Sequence, residues 1–214
     1  MKATAKAPIE KGNPIERWEN EGGRVGLSSR NDRPTPPPRS TQPSTQERRH
    51  VIPTTRTFKT HNDLPADQRE KLIALLNQHL ADTFDILSQC KQAHWNVKGP
   101  QFHQLHELFD QLARQVEAYV DQIAERATAL GGTALGTVRM AADGSRLAEY
   151  PLDARGSMEH VEALAERFAA LAATTRAAIQ TAEDLGDADT ADLFTEVSRG
   201  LDKALWFLEA HVQA

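Results

Sequence analysis

GGTALGTVRMAADGSRLAEYPLDARG, residues 131–156, separates two regions of helical periodicity. Upstream, Leu72, Leu75, Leu76, Leu80, Phe84 and Leu87 form one apolar stripe. That helix is expected to start at Asp63-Leu64-Pro65, an acidic cap followed by proline, and to run to about Asn96. Val97-Lys98-Gly99-Pro100 is a tight break. A second helix carries Leu105, Leu108, Phe109, Leu112, Val116, Val120 and Ile123 and stops at Gly131-Gly132. Downstream, Ser157 is placed to cap a third helix with Val161, Leu164, Phe168, Leu171 and Ile179 inward. The chain breaks at Gly186–Asp189, and a fourth helix carries Leu193, Val197, Leu201, Leu205, Leu208 and Val212. Short breaks make the first and second helices, and the third and fourth, antiparallel neighbours. Residues 131–156 are long enough to span the bundle, with Thr137 to Ala142 suited to a short extra helix.

One long crossover distinguishes a ferritin-like four-helix bundle from an up-down-up-down bundle. The expected fold is therefore all-α and ferritin-like, occupying residues 59–214. Residues 1–58 differ in kind. Eight of the 11 prolines lie in residues 1–60, including Pro36-Pro37-Pro38, and apolar residues there are isolated. Such a segment cannot bury enough surface to offset its ordering entropy, so a disordered, Pro-rich tail is expected. The net charge of -5 divides into +6 for residues 1–60 and -11 for the remainder. No apolar run is long enough for a membrane span, and no secretory h-region is legible at the N-terminus. A single cysteine, Cys90, excludes an internal disulfide framework and makes a reducing, cytoplasmic setting the default.

The second helix holds His106, Asp110, Asp121 and Glu125. Each i,i+4 pair shares a face, and Asp110 and Asp121 are close to three whole turns apart. Their axial separation is roughly 16 Å at about 1.5 Å per residue, whereas metal ligands sit at about 2 Å. The two pairs cannot serve one ion within one chain. Packing two copies antiparallel across a twofold axis sets the 106/110 pair of one against the 121/125 pair of the other. Two equivalent sites roughly 22 Å apart would result. His94 reaches the same site through the tight turn. Two imidazoles and up to three carboxylates suit iron, zinc or manganese. Spacing equally permits a solvated acidic face with ordinary surface histidines. A Glu-x-x-His motif, which di-iron centres inside such bundles use, is absent from residues 59–214; Glu47-Arg48-Arg49-His50 lies in the tail.

The run His94-Trp95-Asn96-Val97-Lys98-Gly99-Pro100-Gln101-Phe102, then His106-Glu107, Asp110, Asp121 and Ala124-Glu125-Arg126, resembles the Dps family (DNA-binding protein from starved cells). The resemblance continues through Tyr150-Pro151-Leu152, Thr190-Ala191-Asp192, Leu201-Asp202-Lys203 and Trp206-Phe207, over about residues 57–212. It implies a homododecameric cage built from twofold dimers, which oxidises Fe(II) with hydrogen peroxide or oxygen and stores ferric mineral. The implied iron ligands are His94, His106 and Asp110 of one subunit with Asp121 and Glu125 of its mate. Trp95 stands where the family has an aromatic beside the centre, either as a donor of electrons or as packing. The acids Glu183, Asp184, Asp187, Asp189 and Asp192 surround a turn that lines a threefold pore in the family; Asp187, Asp189 and Asp192 are the pore candidates. Glu107 matches a cavity-facing position suited to mineral nucleation. A bacterial cytoplasmic, nucleoid-associated protein is implied, with DNA held non-specifically by the basic tail. The alternative is a DNA-compacting cage with little ferroxidase activity.

Cys90, one turn before His94, suits a buried thiol better than a ligand. Trp206 and Phe207 are expected to pack on the fourth helix, and the acids spaced around His79, His103, His160 and His211 do not mark them as ligands.

Overall fold

In the computed structural model, residues 56–213 are described. The elements are α1 (Ala66–Asn96), α2 (Phe102–Ala129), α3 (Val138–Gly144), α4 (Ser157–Asp184) and α5 (Ala188–Glu209). The described residues contain no strand. α1 packs most extensively on α2, and α4 on α5. The pairs meet through α1 against α4 and α2 against α5. The expected long crossover is present, and its short helix α3 is capped by Thr137, whose side chain accepts from Met140 N. No described helix is long and apolar enough to cross a membrane. The expected tail falls outside the described residues except at its end. There Phe58 N donates to Gly131 O at 2.7 Å and Thr133 Oγ1 donates to Arg56 O at 2.9 Å.

Apolar stripes become two buried clusters. One joins Ile86, Cys90, Phe109, Phe168 and Leu201 around the end that carries His94. The other joins Leu72, Leu76, Leu80, Ile123 and Phe194 at the opposite end. Phe109, Phe168 and Phe194 are fully buried, and truncating one such ring to alanine costs about 3–5 kcal/mol. Cys90 is buried as expected, and desolvation pushes its thiol pKa far up.

Polar seams hold the crossover down. Asn77 donates to Thr133 O and accepts from Leu135 N. Asp82, buried in α1, receives the Arg146 guanidinium at 2.5 and 2.9 Å. Arg167 of α4 donates to Glu149 O at 2.7 Å. Satisfying the loop backbone with side chains from α1 and α4 lets this non-helical segment lie against the bundle.

Two expected caps are replaced. Pro65, not Asp63, occupies the α1 N-cap, and Arg69 donates back to Leu64 O at 2.8 Å. Proline has no side-chain acceptor, so the first N–H groups of α1 receive no side-chain cap. Ser157 is the first residue of α4, and its hydroxyl donates to Lys98 O at 2.5 Å. The turn at 97–100 captures the hydroxyl, tying α4 to the α1–α2 connection. Gly99 takes φ +108° in that turn, a conformation that requires glycine. Trp206 also departs from expectation. It is 60% exposed and pairs with Phe207 on the surface of α5 rather than packing into the bundle.

Candidate metal centre

The tight α1–α2 turn brings the last residues of α1 beside the first turns of α2. His94 and His106 stack there with ring centroids 3.7 Å apart. His94 Nδ1 lies 2.8 Å from His106 O, and His106 Nδ1 lies 2.9 Å from His94 O. A carbonyl only accepts, so each Nδ1 carries the hydrogen. In the neutral form each ring then has its lone pair on Nε2. This reciprocal pair fixes both tautomers in the form a metal requires. Phe102 covers the His106 ring at 5.1 Å.

Asp110 lies one turn beyond His106. Its carboxylate accepts from Lys91 Nζ at 2.7 Å and pairs with Arg114 at 3.0 Å. The Lys91 hydrogen bond holds its pKa below the ordinary carboxylate range, assisted by the charges of Lys91 and Arg114. Lys91 also sits 6.0 Å above the Trp95 ring, and Trp95 is 66% exposed. The arrangement offers two imidazole nitrogens and an ionised carboxylate, with an ammonium competing for that carboxylate.

Asp121 and Glu125 are exposed farther along α2, and neither has a side-chain partner among the described residues. No three His, Cys, Asp or Glu side chains among the described residues converge as a metal group within one chain. Glu107 is exposed beside His106. The acids of the α4–α5 turn divide. Asp189 and Asp192 are exposed. Asp187 does not fit the pore-lining expectation. It is 4% exposed, caps α5 and pairs with Arg126 at 2.6 and 2.8 Å. Arg126 Nε also donates to Thr190 Oγ1 at 2.9 Å. Burial requires this carboxylate to be paired, which withdraws it from solvent.

Sequence reasoning missed Lys91 and Arg126. Arg114 stands at i+4 from Asp110 and was detectable by helical spacing. Lys91 and Arg126 reach partners on other elements, which spacing does not reveal.

The ferritin-like domain family matches residues 73–214. A DNA protection during starvation protein from Agrobacterium fabrum is 48% identical over 158 residues, covering 74% of this chain and 98% of that relative. The chain belongs to the Dps family of ferritin-like proteins. Among solved Dps structures, DpsA14 from Streptomyces coelicolor has TM-score 0.71 and 31% identity, covering 75% of this chain and 95% of that one. Dps from Staphylococcus aureus has TM-score 0.65 and 29% identity, covering 68% and 97%. The Dps likeness thus spans the helical body and accounts for its long crossover.

Proposed function

We propose that this chain is the subunit of a dodecameric cage that oxidises Fe(II) with hydrogen peroxide, or oxygen, and stores ferric mineral. The reciprocal His94–His106 hydrogen bonds carry this reading, because they present both Nε2 atoms as ligands beside the ionised Asp110. Asp121 and Glu125 complete the site from a twofold mate. Their exposure, and the lack of a side-chain partner among the described residues, support a role outside their own chain.

Fe(II) is the substrate here. Imidazole and carboxylate hold it with positions left for the oxidant. Carboxylate charge stabilises Fe(III) over Fe(II), which favours loss of the electron. Asp189 and Asp192 draw Fe(II) towards the α4–α5 turn, and Glu107 nucleates mineral inside. Trp95 stands beside the centre as a one-electron donor. Adding Fe(II) and peroxide while following ferric absorbance tests the reading; oxidation no faster than in buffer would overturn it.

The basic tail supports a second role in binding DNA. Residues 1–60 carry net +6, against -11 for the remainder. Phosphate binding by such a segment is sequence-independent and salt-sensitive. A bacterial cytoplasm, beside the nucleoid, is the matching location.

A further inference from the structure

Behind the metal centre lies a polar pair that the iron chemistry above does not use. The Tyr150 hydroxyl meets His160 Nδ1 at 2.6 Å, with the rings stacked 6.1 Å apart. His160 is 2% exposed, in the first turn of α4, and its Nε2 is buried without a hydrogen-bond partner. The His160 ring also meets the backbone of Asn96, the last residue of α1. Asn96 follows Trp95 and stands two residues after His94. On its other side, Tyr150 packs on the buried cluster containing Cys90 and Ala93, which precede His94 in α1. The phenol and imidazole thus lie against the end of α1 that carries His94 and Trp95.

We propose that Tyr150 is a one-electron reservoir for the metal centre, with His160 as the positioning residue that accepts its proton. The proposal rests on the iron-oxidising function above. The case it serves is a centre that holds a single Fe(II) when peroxide arrives. One Fe(II) supplies one electron, whereas reduction of hydrogen peroxide to two hydroxides takes two. After the first electron, peroxide has become one hydroxide and one hydroxyl-radical equivalent. Tyr150 supplies the second electron. Its O–H bond breaks, the proton moves to His160 Nδ1, and the radical equivalent becomes hydroxide. A neutral phenoxyl remains. The next Fe(II) returns an electron to it, becoming Fe(III), and the proton returns from His160. Two Fe(II) are then oxidised per peroxide, with no radical released.

Two further observations suit this role. Burial keeps the His160 pKa below its ordinary value, so the ring is neutral and able to take a proton. Desolvation pushes the Tyr150 phenol up to about 12, so it remains protonated until it is oxidised.

Tyr119 is the only other tyrosine in the sequence, which makes the test clean. The full chain, loaded with Fe(II), is mixed with peroxide, freeze-quenched and examined by electron paramagnetic resonance. Ferric absorbance and spin-trapped hydroxyl radical are followed in parallel. A phenoxyl signal is expected, retained in Tyr119→Phe and lost in Tyr150→Phe, with more trapped radical in the latter. His160→Gln, which cannot take up the proton, should lower the signal although Tyr150 is intact. Melting temperatures establish that each variant is folded. Ferric absorbance without any phenoxyl signal in the parent would overturn the reservoir and leave the iron-oxidising function standing. A signal surviving in Tyr150→Phe would overturn it too. Failure of ferric absorbance to develop above buffer would sink both.

Discussion

Arg126 of α2 and Asp187, 61 residues away at the start of α5, form a bidentate pair with both carboxylate oxygens engaged. Arg126 directly follows Glu125, and Asp187 begins the turn that carries Asp189 and Asp192. One ion pair therefore anchors both the end of α2 that is proposed to serve a twofold mate and the turn proposed for iron ingress.

This pair gives a pH signature. Burial alone would raise the Asp187 pKa, but the hydrogen bonds of Arg126 and Thr190, with the Arg126 charge, outweigh it and hold the pKa below normal. A depressed folded pKa contributes stability above the unfolded value of about 3.9. That contribution is lost as pH falls through the folded value. Asp187→Asn should therefore lower the melting temperature at neutral pH and flatten its acid dependence. Asp187→Ala removes the cap as well, and breaking a buried pair costs about 3–5 kcal/mol. Parallel acid-melting curves for parent and Asp187→Asn would remove the pair from this role.

Ingress is assigned to Asp189 and Asp192, without Asp187. The double change to asparagine should slow mineralisation most at low ionic strength, where steering is least screened. Stopped-flow ferric absorbance at two salt concentrations measures this. Equal rates in the double variant and parent at low salt would exclude these side chains from the route.

The tail should hold DNA. Deleting residues 1–55 spares Arg56 and Phe58, whose backbone groups bond to Thr133 and Gly131, so the body should melt as before. Twelve tails acting together can add about 10²–10⁴ over one. The truncated cage should lose DNA retention in a low-salt gel shift, and the full chain should lose it as salt rises. Unchanged retention after truncation would place DNA binding elsewhere.

The bundle was legible because its apolar residues repeat with helical period and its breaks are glycine and proline. The long interval between Gly131 and Ser157 distinguished the topology. That His106 and Asp110, like Asp121 and Glu125, stand one turn apart on a single helix was legible from i,i+4 spacing. Less legible were bonds whose partners lie far apart in the chain. Nothing local marks Asp187 as the partner of Arg126, or directs the Ser157 hydroxyl to Lys98 O instead of its own helix. The mutual grip of His94 and His106 belongs to the same class, since it depends on the path of the 97–101 turn.

The account stands or falls on a site divided between two chains. Asp121→Asn with Glu125→Gln disables one half, and His106→Ala disables the other. Each variant alone should show little catalysed Fe(II) oxidation. Reassembled as mixed cages, they should regain part of the ferric absorbance rate, because some interfaces then unite two intact halves. Mixed cages, shown by mass spectrometry to contain both subunits yet no faster than either parent variant, would contradict the shared centre.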